Sequence, residues 1–269
     1  MRALHLLPLF LFGCTGATDD SSAVKTDADA DTDTDADTDT DTDTDTDTEP
    51  EGATVTGCVQ AYDGSSPAEV DVQFCQTTCY TELTDANGCF AFRGMYEGSY
   101  KMDGVGETYD GFDYGRIRIH VELGTEDITV EEPLYLPRML GPATISSAGN
   151  AVTIGTVTVG FDLDELTVPF GYEPDQFWIG TVEAADMPSF WGVEATYAIS
   201  FLPLATEVAA PFTLAANASL PAGDYDIYSV DAHGELEGPV GAATVGEDGD
   251  VPNTTVSPAV LTWLLFVPN

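Results

Sequence analysis

The stretch TDANGCFAFRGMYEGSY, residues 84–100, indicates most clearly how this chain folds. Asp, Asn and Gly at residues 85–88 are turn-forming residues, and Asn-Gly supplies the positive φ that a tight hairpin turn needs. Phe90 and Phe92 then alternate with Ala and Arg, as on the buried face of a β-strand. The stretch therefore predicts a hairpin turn that leads into a half-buried strand.

The same alternation continues on both sides of this stretch. Upstream, residues 55–59 read as a strand, residues 63–67 as a turn, and Val70, Val72 and Phe74 as one face of a second strand. Downstream, residues 114–123 read as a strand with one apolar side, formed by Ile117, Ile119, Val121 and Leu123. Beyond residue 140 we expect further strands at 152–159, 177–182, 196–201, 212–216, 225–230, 242–245 and 260–267.

No long helical period interrupts these strands, so the fold class is all-β. We expect two consecutive antiparallel β-sandwich domains, residues 53–138 and residues 140–269, joined by an interdomain connection at residues 133–142, PLYLPRMLGP. The most apolar segment beyond the amino terminus is residues 261–267. It is too short to cross a bilayer, which takes about 20 residues, so it predicts a buried final strand.

Residues 84–100 also resemble a known family. The pattern of Thr84, Asp85, Gly88, Phe90, Phe92, Gly94, Gly98 and Tyr100, after a V-x-G-x-V strand at residues 55–59, is similar to the carboxypeptidase regulatory-like domain. That resemblance implies a small prealbumin-like β-sandwich without catalytic residues. Residues 95–97 depart from the pattern, because Pro is common before the second glycine. The second domain looks weakly like immunoglobulin-like or ZU5-like modules, and no residue role follows from that.

The amino terminus reads as an export signal. Residues 1–13, MRALHLLPLFLFG, place one Arg before an apolar run that is too short to span a membrane. The end of this run and Cys14 resemble the lipobox of bacterial lipoproteins, which implies cleavage before Cys14 and lipidation of that cysteine. The membrane would then be a partner through this anchor. The resemblance also implies the outer membrane or cell surface within the envelope, because in lipoproteins of the best-known type a residue other than Asp after the cysteine, here Thr15, favours that location. The alternative is an ordinary secretory signal with an incidental cysteine.

Four further cysteines lie close together in sequence, at Cys58, Cys75, Cys79 and Cys89. In an exported protein an even set of this kind predicts two disulfides. A structural zinc site is the alternative, although no pair has the two-residue spacing of a zinc knuckle. Among the three connectivities, we expect Cys75–Cys79 and Cys58–Cys89.

Residues 14–52 form an acidic segment, with strict alternation of Asp and Thr or Ala over residues 26–48. Both faces of such a strand would be polar and one would repel itself, so we expect a disordered linker. Residues 14–51 reach about 120 Å when fully extended, at roughly 3.3 Å per residue. Calcium binding is disfavoured, because no Gly supplies the turn of a calcium loop between residues 16 and 52. Glycosylation of the Thr residues stays open.

Charge excludes one class of partner. The chain has 47 acidic residues against 7 Lys and Arg, for a net charge of −40. Such a polyanion does not neutralise phosphates, so nucleic acid is excluded as a partner. The stripe of Arg116, Arg118, His120 and Glu122 stands out in so acidic a chain. It is either a contact patch for an anionic ligand or, as we favour, neutralised by Glu126, Asp127, Glu131 or Glu132.

No catalytic motif, cofactor motif or metal motif is visible. His120 and His233 belong to no recognisable constellation, so we expect a protein that is not an enzyme. Trp178, Phe190 and Trp191 suit either a sugar-binding platform or, as is more common, the core. The expected function is a non-catalytic structural or interaction role at the cell envelope. The alternatives are a surface module that binds polysaccharide or peptide, and a hydrolase without a visible motif.

Overall fold

The computed structural model describes residues 52–106, 108–109, 112–145, 151–173 and 175–269. Its regular structure is β-strand apart from two short 3₁₀ turns at Leu163–Glu165 and Ala184–Asp186. The prediction of an all-β fold is therefore confirmed. Within these described ranges, no helix has the length and apolar character needed to cross a membrane.

The strands of the first half form two facing sheets, here called the first sandwich. Its strands are β1 (Ala53–Ala61), β2 (Asp71–Cys75), β3 (Cys79–Leu83), β4 (Cys89–Met95), β5 (Gly98–Gly104), β8 (Ile117–Leu123), β9 (Ile128–Thr129) and β10 (Leu134–Leu136). Two short strands between β5 and β8, β6 (Thr108–Tyr109) and β7 (Phe112–Tyr114), belong instead to the sheet of the second half. One sheet has the order β10-β1-β4, with β9 also on β1, and the other has the order β3-β2-β5-β8. β9 and β10 pair parallel with β1, so the sandwich is not wholly antiparallel.

The predicted apolar faces fill the core between these sheets. Val70, Val72 and Phe74 are fully buried, and Phe74 stacks on Phe92 and Tyr100. The apolar side of β8 is buried in the same cluster. These faces were readable from the sequence because side chains alternate between the two sides of a strand.

The turn at residues 85–88 differs from its prediction. β3 pairs with β2 and β4 pairs with β1, so this turn carries the chain from one sheet to the other and does not close a hairpin. Asp85 shapes it, because its carboxylate accepts hydrogen bonds from the backbone N–H groups of Asn87 at 2.8 Å and Cys89 at 2.9 Å. Gly88 takes the positive φ of 75°.

The remaining strands form the second sandwich. They are β11 (Arg138–Thr144), β12 (Val152–Ile154), β13 (Val157–Gly160), β14 (Leu166–Thr167), β15 (Gln176–Glu183), β16 (Tyr197–Leu202), β17 (Thr206–Val208), β18 (Phe212–Asn217), β19 (Gly223–Val230), β20 (Leu236–Val245), β21 (Asp250–Val256), β22 (Val260–Leu261) and β23 (Trp263–Pro268). An eight-stranded sheet runs β20-β19-β23-β16-β15-β11-β7-β6. It faces a four-stranded sheet of order β12-β13-β18-β21, and a small sheet has the order β14-β17-β22.

The central strands of the eight-stranded sheet, β16 and β23, are buried on both faces. Leu264 and Phe266 of β23 belong to the core of the second sandwich, whereas Trp263 and Leu265 belong to the core cluster of the first. A strand that is covered on both faces is apolar at every position, which explains the continuous run at residues 261–267. The prediction of a buried final strand is confirmed, and this sheet is shared by both cores.

Residues 133–142 contain β10, which adds to β1, and the start of β11, which adds to β15, so the chain changes sheets at Pro137. Their role as an interdomain connection stays a prediction. Two expectations about strands were wrong in detail. Residues 152–159 form the hairpin β12–β13, and residues 114–123 are divided between β7 and β8. The division into domains at 53–138 and 140–269 stays a prediction, and β6 and β7 extend the sheet of the second half.

Both sandwiches contain the same hydrogen bond from a tyrosine hydroxyl to a backbone carbonyl four residues earlier. The Tyr100 hydroxyl donates to the carbonyl of Tyr96 at 2.9 Å, and the Tyr225 hydroxyl donates to the carbonyl of Pro221 at 2.9 Å. Each tyrosine lies two residues after a glycine that begins a strand, Gly98 in β5 and Gly223 in β19. A buried tyrosine that ties its ring to the preceding turn is typical of β-sandwich corners.

Candidate functional site

A ladder of polar side chains covers the outer face of the sheet β3-β2-β5-β8. The antiparallel register of β5 and β8 places Ser99 opposite Glu122, Lys101 opposite His120, and Asp103 opposite Arg118. The residues between them point to the core, so these three pairs share the opposite face. The sequence of β8 shows its polar stripe directly, whereas the matching alternation of Ser99, Lys101 and Asp103 in β5 becomes meaningful only with the register of the two strands.

Arg118 is neutralised by Asp103. Its Nε and Nη2 donate to the two carboxylate oxygens of Asp103 at 2.6 Å each, and both residues are buried, at 8% and 2% exposure. The expectation that a carboxylate neutralises the basic stripe is confirmed for Arg118. The four expected partners were wrong, because the register of β5 places Asp103 directly across the strand pair.

Two of the expected partners have other roles. Asp127 accepts a hydrogen bond from the backbone N–H of Thr54 at 2.7 Å. Glu132 accepts from the backbone N–H and the hydroxyl of Ser189. Asp127 therefore ties the segment after β8 to β1, and Glu132 ties the segment before β10 to the segment before β16.

The loop at residues 231–235 lies against β8 from the second half of the chain. The third nitrogen of Arg118, Nη1, donates to the carbonyl of Ala232 at 2.9 Å. Gly234 permits the close approach, because a Cβ there would lie 2.5 Å from the carbonyl carbon of Ile119. Asp231 shapes the loop by accepting from the N–H groups of His233 at 2.7 Å and Glu235 at 2.9 Å.

This contact creates a cleft of about 340 Å³ between the loop and the polar ladder. The cleft brings together both histidines of the folded region, which are far apart in the sequence. Its polar lining includes Gln76, Ser99, Lys101, His120, His233 and Glu235. Lys101, Ser99, Gln76 and Glu235 were not singled out from the sequence, because no local motif connects them.

His120 lies between two carboxylates. Its Nε2 is 2.8 Å from Oε1 of Glu122 and its Nδ1 is 3.7 Å from Oε1 of Glu235. The hydrogen bond from the Ser99 hydroxyl and, next, the contact with His120 lower the pKa of Glu122 below its ordinary value of 4.5. Glu122 is thus held as a carboxylate that orients both neighbours.

This arrangement differs from a nucleophile with its base. Ser99 donates to Glu122, and the imidazole of His120 contacts the same carboxylate. A serine nucleophile needs a hydrogen bond from its hydroxyl to the base that removes its proton. The geometry here presents fixed donors and acceptors to the cleft, which suits binding.

Both expected disulfides are present, Cys58–Cys89 between β1 and β4 and Cys75–Cys79 between β2 and β3. The zinc alternative for these four cysteines is therefore excluded. Cys75–Cys79 closes the tight loop that carries Gln76 and Thr77, both on the rim of the cleft. Among the residues that the structure describes, no group of three His, Cys, Asp or Glu is arranged to hold a metal ion.

Other sequence-derived candidates are distributed as follows. Trp191 is buried and packs on Trp263 with ring centroids 5.4 Å apart, and Phe190 packs against the same core cluster. Trp178 is half-buried in β15. These three do not form a common exposed platform. Cys14 and the acidic segment of residues 14–51 lie outside the described residues.

No protein-family model matches the chain, and no curated protein matches its sequence. Among solved structures, a streptococcal ancillary pilin is similar over 83% of this chain and 56% of its own, at 12% identity and a TM-score of 0.27. A candidate carbohydrate-binding protein of Bacteroides uniformis is similar over 81% of this chain and 80% of its own, at 9% identity and a TM-score of 0.27.

The TIE protein of Bacillus anthracis is similar over 81% of this chain and 48% of its own, at 9% identity and a TM-score of 0.28. The chain thus spans about half the length of the pilin and of the TIE protein. Identities and TM-scores as low as these carry no information about function.

Proposed function

We propose that the chain is a non-catalytic lipoprotein of the cell envelope, which displays its β-sandwich modules for structural or interaction roles. Its anchor is the lipidated Cys14, and the acidic residues 15–52 are the spacer that holds the folded part away from the membrane. Thr15 after the anchor favours the outer membrane or the cell surface.

The observation that carries this proposal is the shared eight-stranded sheet. Because Trp263 and Leu265 pack into one core while Leu264 and Phe266 pack into the other, neither half turns freely on the other. The Trp263 indole N–H also donates to the carbonyl of Arg116 at 2.8 Å. A rigid body on a long tether suits a protein that presents a fixed surface to a partner.

The first sandwich is proposed to be a carboxypeptidase regulatory-like module. The residues of its pattern have structural roles that agree with that assignment. Thr84 is buried, where its hydroxyl donates to the carbonyl of Pro67 and accepts from the N–H of Val70. Tyr100 forms the corner described above. None of these side chains is free for chemistry.

A second candidate function is ligand binding at the surface, and the cleft beside Lys101 favours it. The cleft is concave and holds exposed donors and acceptors on rigid elements. In this case the displayed modules recognise a polysaccharide or a peptide of the envelope.

The anchor is tested by expressing the full chain in bacteria with and without globomycin, which blocks lipoprotein signal cleavage. We expect a membrane-bound product whose amino-terminal peptide carries acyl chains on Cys14, and a larger unprocessed precursor under globomycin. The Cys14→Ala variant should lose the acyl mass. An unmodified Cys14 in a processed chain would support the ordinary secretory signal and contradict the proposal.

A further inference from the structure

The few basic groups of this chain are unevenly distributed. Residues 53–269 contain five Lys and Arg in total, against 32 acidic residues. Arg118 forms an ion pair with Asp103, and the guanidinium of Arg138 lies over the ring of Tyr62, 5.6 Å from its centroid. Lys101 and the two histidines, in contrast, line one cleft. One concave site therefore combines a lysine with both histidines of the described residues, in a chain whose surface is otherwise strongly acidic.

Lys101 is available to a ligand. In the described ranges, no ion pair engages its ammonium group, although its strand neighbours are fixed: Ser99 and His120 both contact Glu122. An ammonium group is a compact point charge, and it pairs with a single negative charge on a ligand.

The rim and walls of the cleft are held in position before any ligand arrives. The Cys75–Cys79 disulfide closes the loop that bears Gln76, and Asp231 fixes the loop that bears His233 and Glu235. Preorganisation of this kind lowers the entropy cost of binding. The set combines a cation, neutral donors and the acceptor Glu235, which matches a molecule with one acid and several hydroxyls.

The edge of the sheet is closed to a peptide strand at this point. β8 is the edge strand of its sheet, and Gly234 lies against its backbone at Ile119 and His120. A peptide that binds by adding a strand needs a free edge. A sugar ring needs only the concave surface and its polar groups.

We propose that this cleft binds a saccharide unit that carries a single carboxylate, with Lys101 paired to the carboxylate and Glu235 accepting from hydroxyl groups. Gln76 and His233 complete the donors. Strongly anionic polymers are excluded, because the surrounding surface is acidic and repels them. The inference rests on the second candidate function, since display at the envelope gives the cleft access to glycans.

The test uses the purified full chain in detergent and two matched probes, methyl glucuronide and methyl glucoside, titrated by NMR and calorimetry. We expect the glucuronide to bind at least tenfold more tightly and to shift resonances of residues that line the cleft. Lys101→Gln should weaken glucuronide binding at least tenfold, and Lys101→Arg should weaken it less. Arg93→Gln, which removes a charge from an exposed position on β4, is the control and should bind as the parent does.

Equal binding of both methyl glycosides, or no binding of either, would overturn the proposal. Binding of acetylglycine, a peptide-like carboxylate, as tightly as the glucuronide would overturn its saccharide part. Because the titration does not depend on the lipid, finding Cys14 without acyl chains would not change the interpretation of the titration. A failure of the titration likewise leaves the anchor untouched.

Discussion

Arg118 and Asp103 form a buried ion pair at the junction of the two halves of the chain. The guanidinium donates to both carboxylate oxygens of Asp103 and, through Nη1, to the carbonyl of Ala232 in the second half. The pair therefore satisfies a buried carboxylate and also holds the loop that completes the cleft.

Arg118→Met should strongly destabilise the fold. It leaves Asp103, which is 2% exposed, as a buried charge without its partner, and such losses cost about 3–5 kcal/mol. Replacing both residues, in Asp103→Leu with Arg118→Met, should restore most of that stability, because no buried charge remains. Urea unfolding of the three proteins measures this. Equal stability of Arg118→Met and the parent would show that the pair is not buried in solution.

Gly234→Ala should separate the loop from β8. Its φ of +89° is strained for alanine, and the added Cβ would lie 2.5 Å from backbone at Ile119. We expect a loss of about 2–4 kcal/mol, the sum of backbone strain and overpacking. Gly171→Ala is the matched control, because its φ is +98° with open space around it, and only the strain of about 1 kcal/mol applies. A similar loss in both variants would mean that the close approach is absent.

The two disulfides should contribute unequally to stability. In the chain-entropy description, the loop of sequence separation 31 closed by Cys58–Cys89 contributes about 4 kcal/mol, and the loop of separation 4 closed by Cys75–Cys79 about 2 kcal/mol. Paired serine variants, unfolded in urea, give the two values. A larger loss of unfolding free energy on removing Cys75–Cys79 would contradict this order and would mean that this disulfide also stabilises structure outside its own turn.

Stability should fall with acid in part through Glu122. Hydrogen bonding by Ser99 and contact with His120 lower its pKa from 4.5, so the unfolded state binds the proton more tightly. The stabilisation is present above about pH 4.5 and is lost as pH falls through the folded value. Ser99→Ala should raise the folded pKa and flatten the decline in unfolding free energy between about pH 5 and pH 3.

Thr158→Ala serves as the control for that comparison. It removes a hydroxyl that hydrogen-bonds to Thr153 at 2.8 Å and that contacts no carboxylate. The unfolding free energy of this variant should therefore fall between about pH 5 and pH 3 as steeply as that of the parent. An unchanged slope in Ser99→Ala would contradict the role assigned to Ser99.

The sequence predicts which side chains of a strand face the core, whereas it does not predict which strands pair with each other. Phe90, Phe92 and the apolar side of β8 follow a period of two that is local in sequence. Which sheet β4 joins depends on its pairing with β1, so the local sequence of residues 85–88 predicts a hairpin where the structure has a connection between sheets. The cleft depends on the approach of Gly234 to Ile119, and no local pattern connects His120 with His233.

We propose that Cys14 holds the folded body at the cell envelope, and surface exposure tests this proposal most directly. Intact bacteria that express the full chain are labelled with an antibody raised against residues 53–269, and membrane and soluble fractions are compared. We expect surface labelling and membrane recovery for the parent, and loss of both for Cys14→Ala, with the protein found in the periplasm or medium. Membrane recovery and labelling of Cys14→Ala equal to the parent would contradict the account.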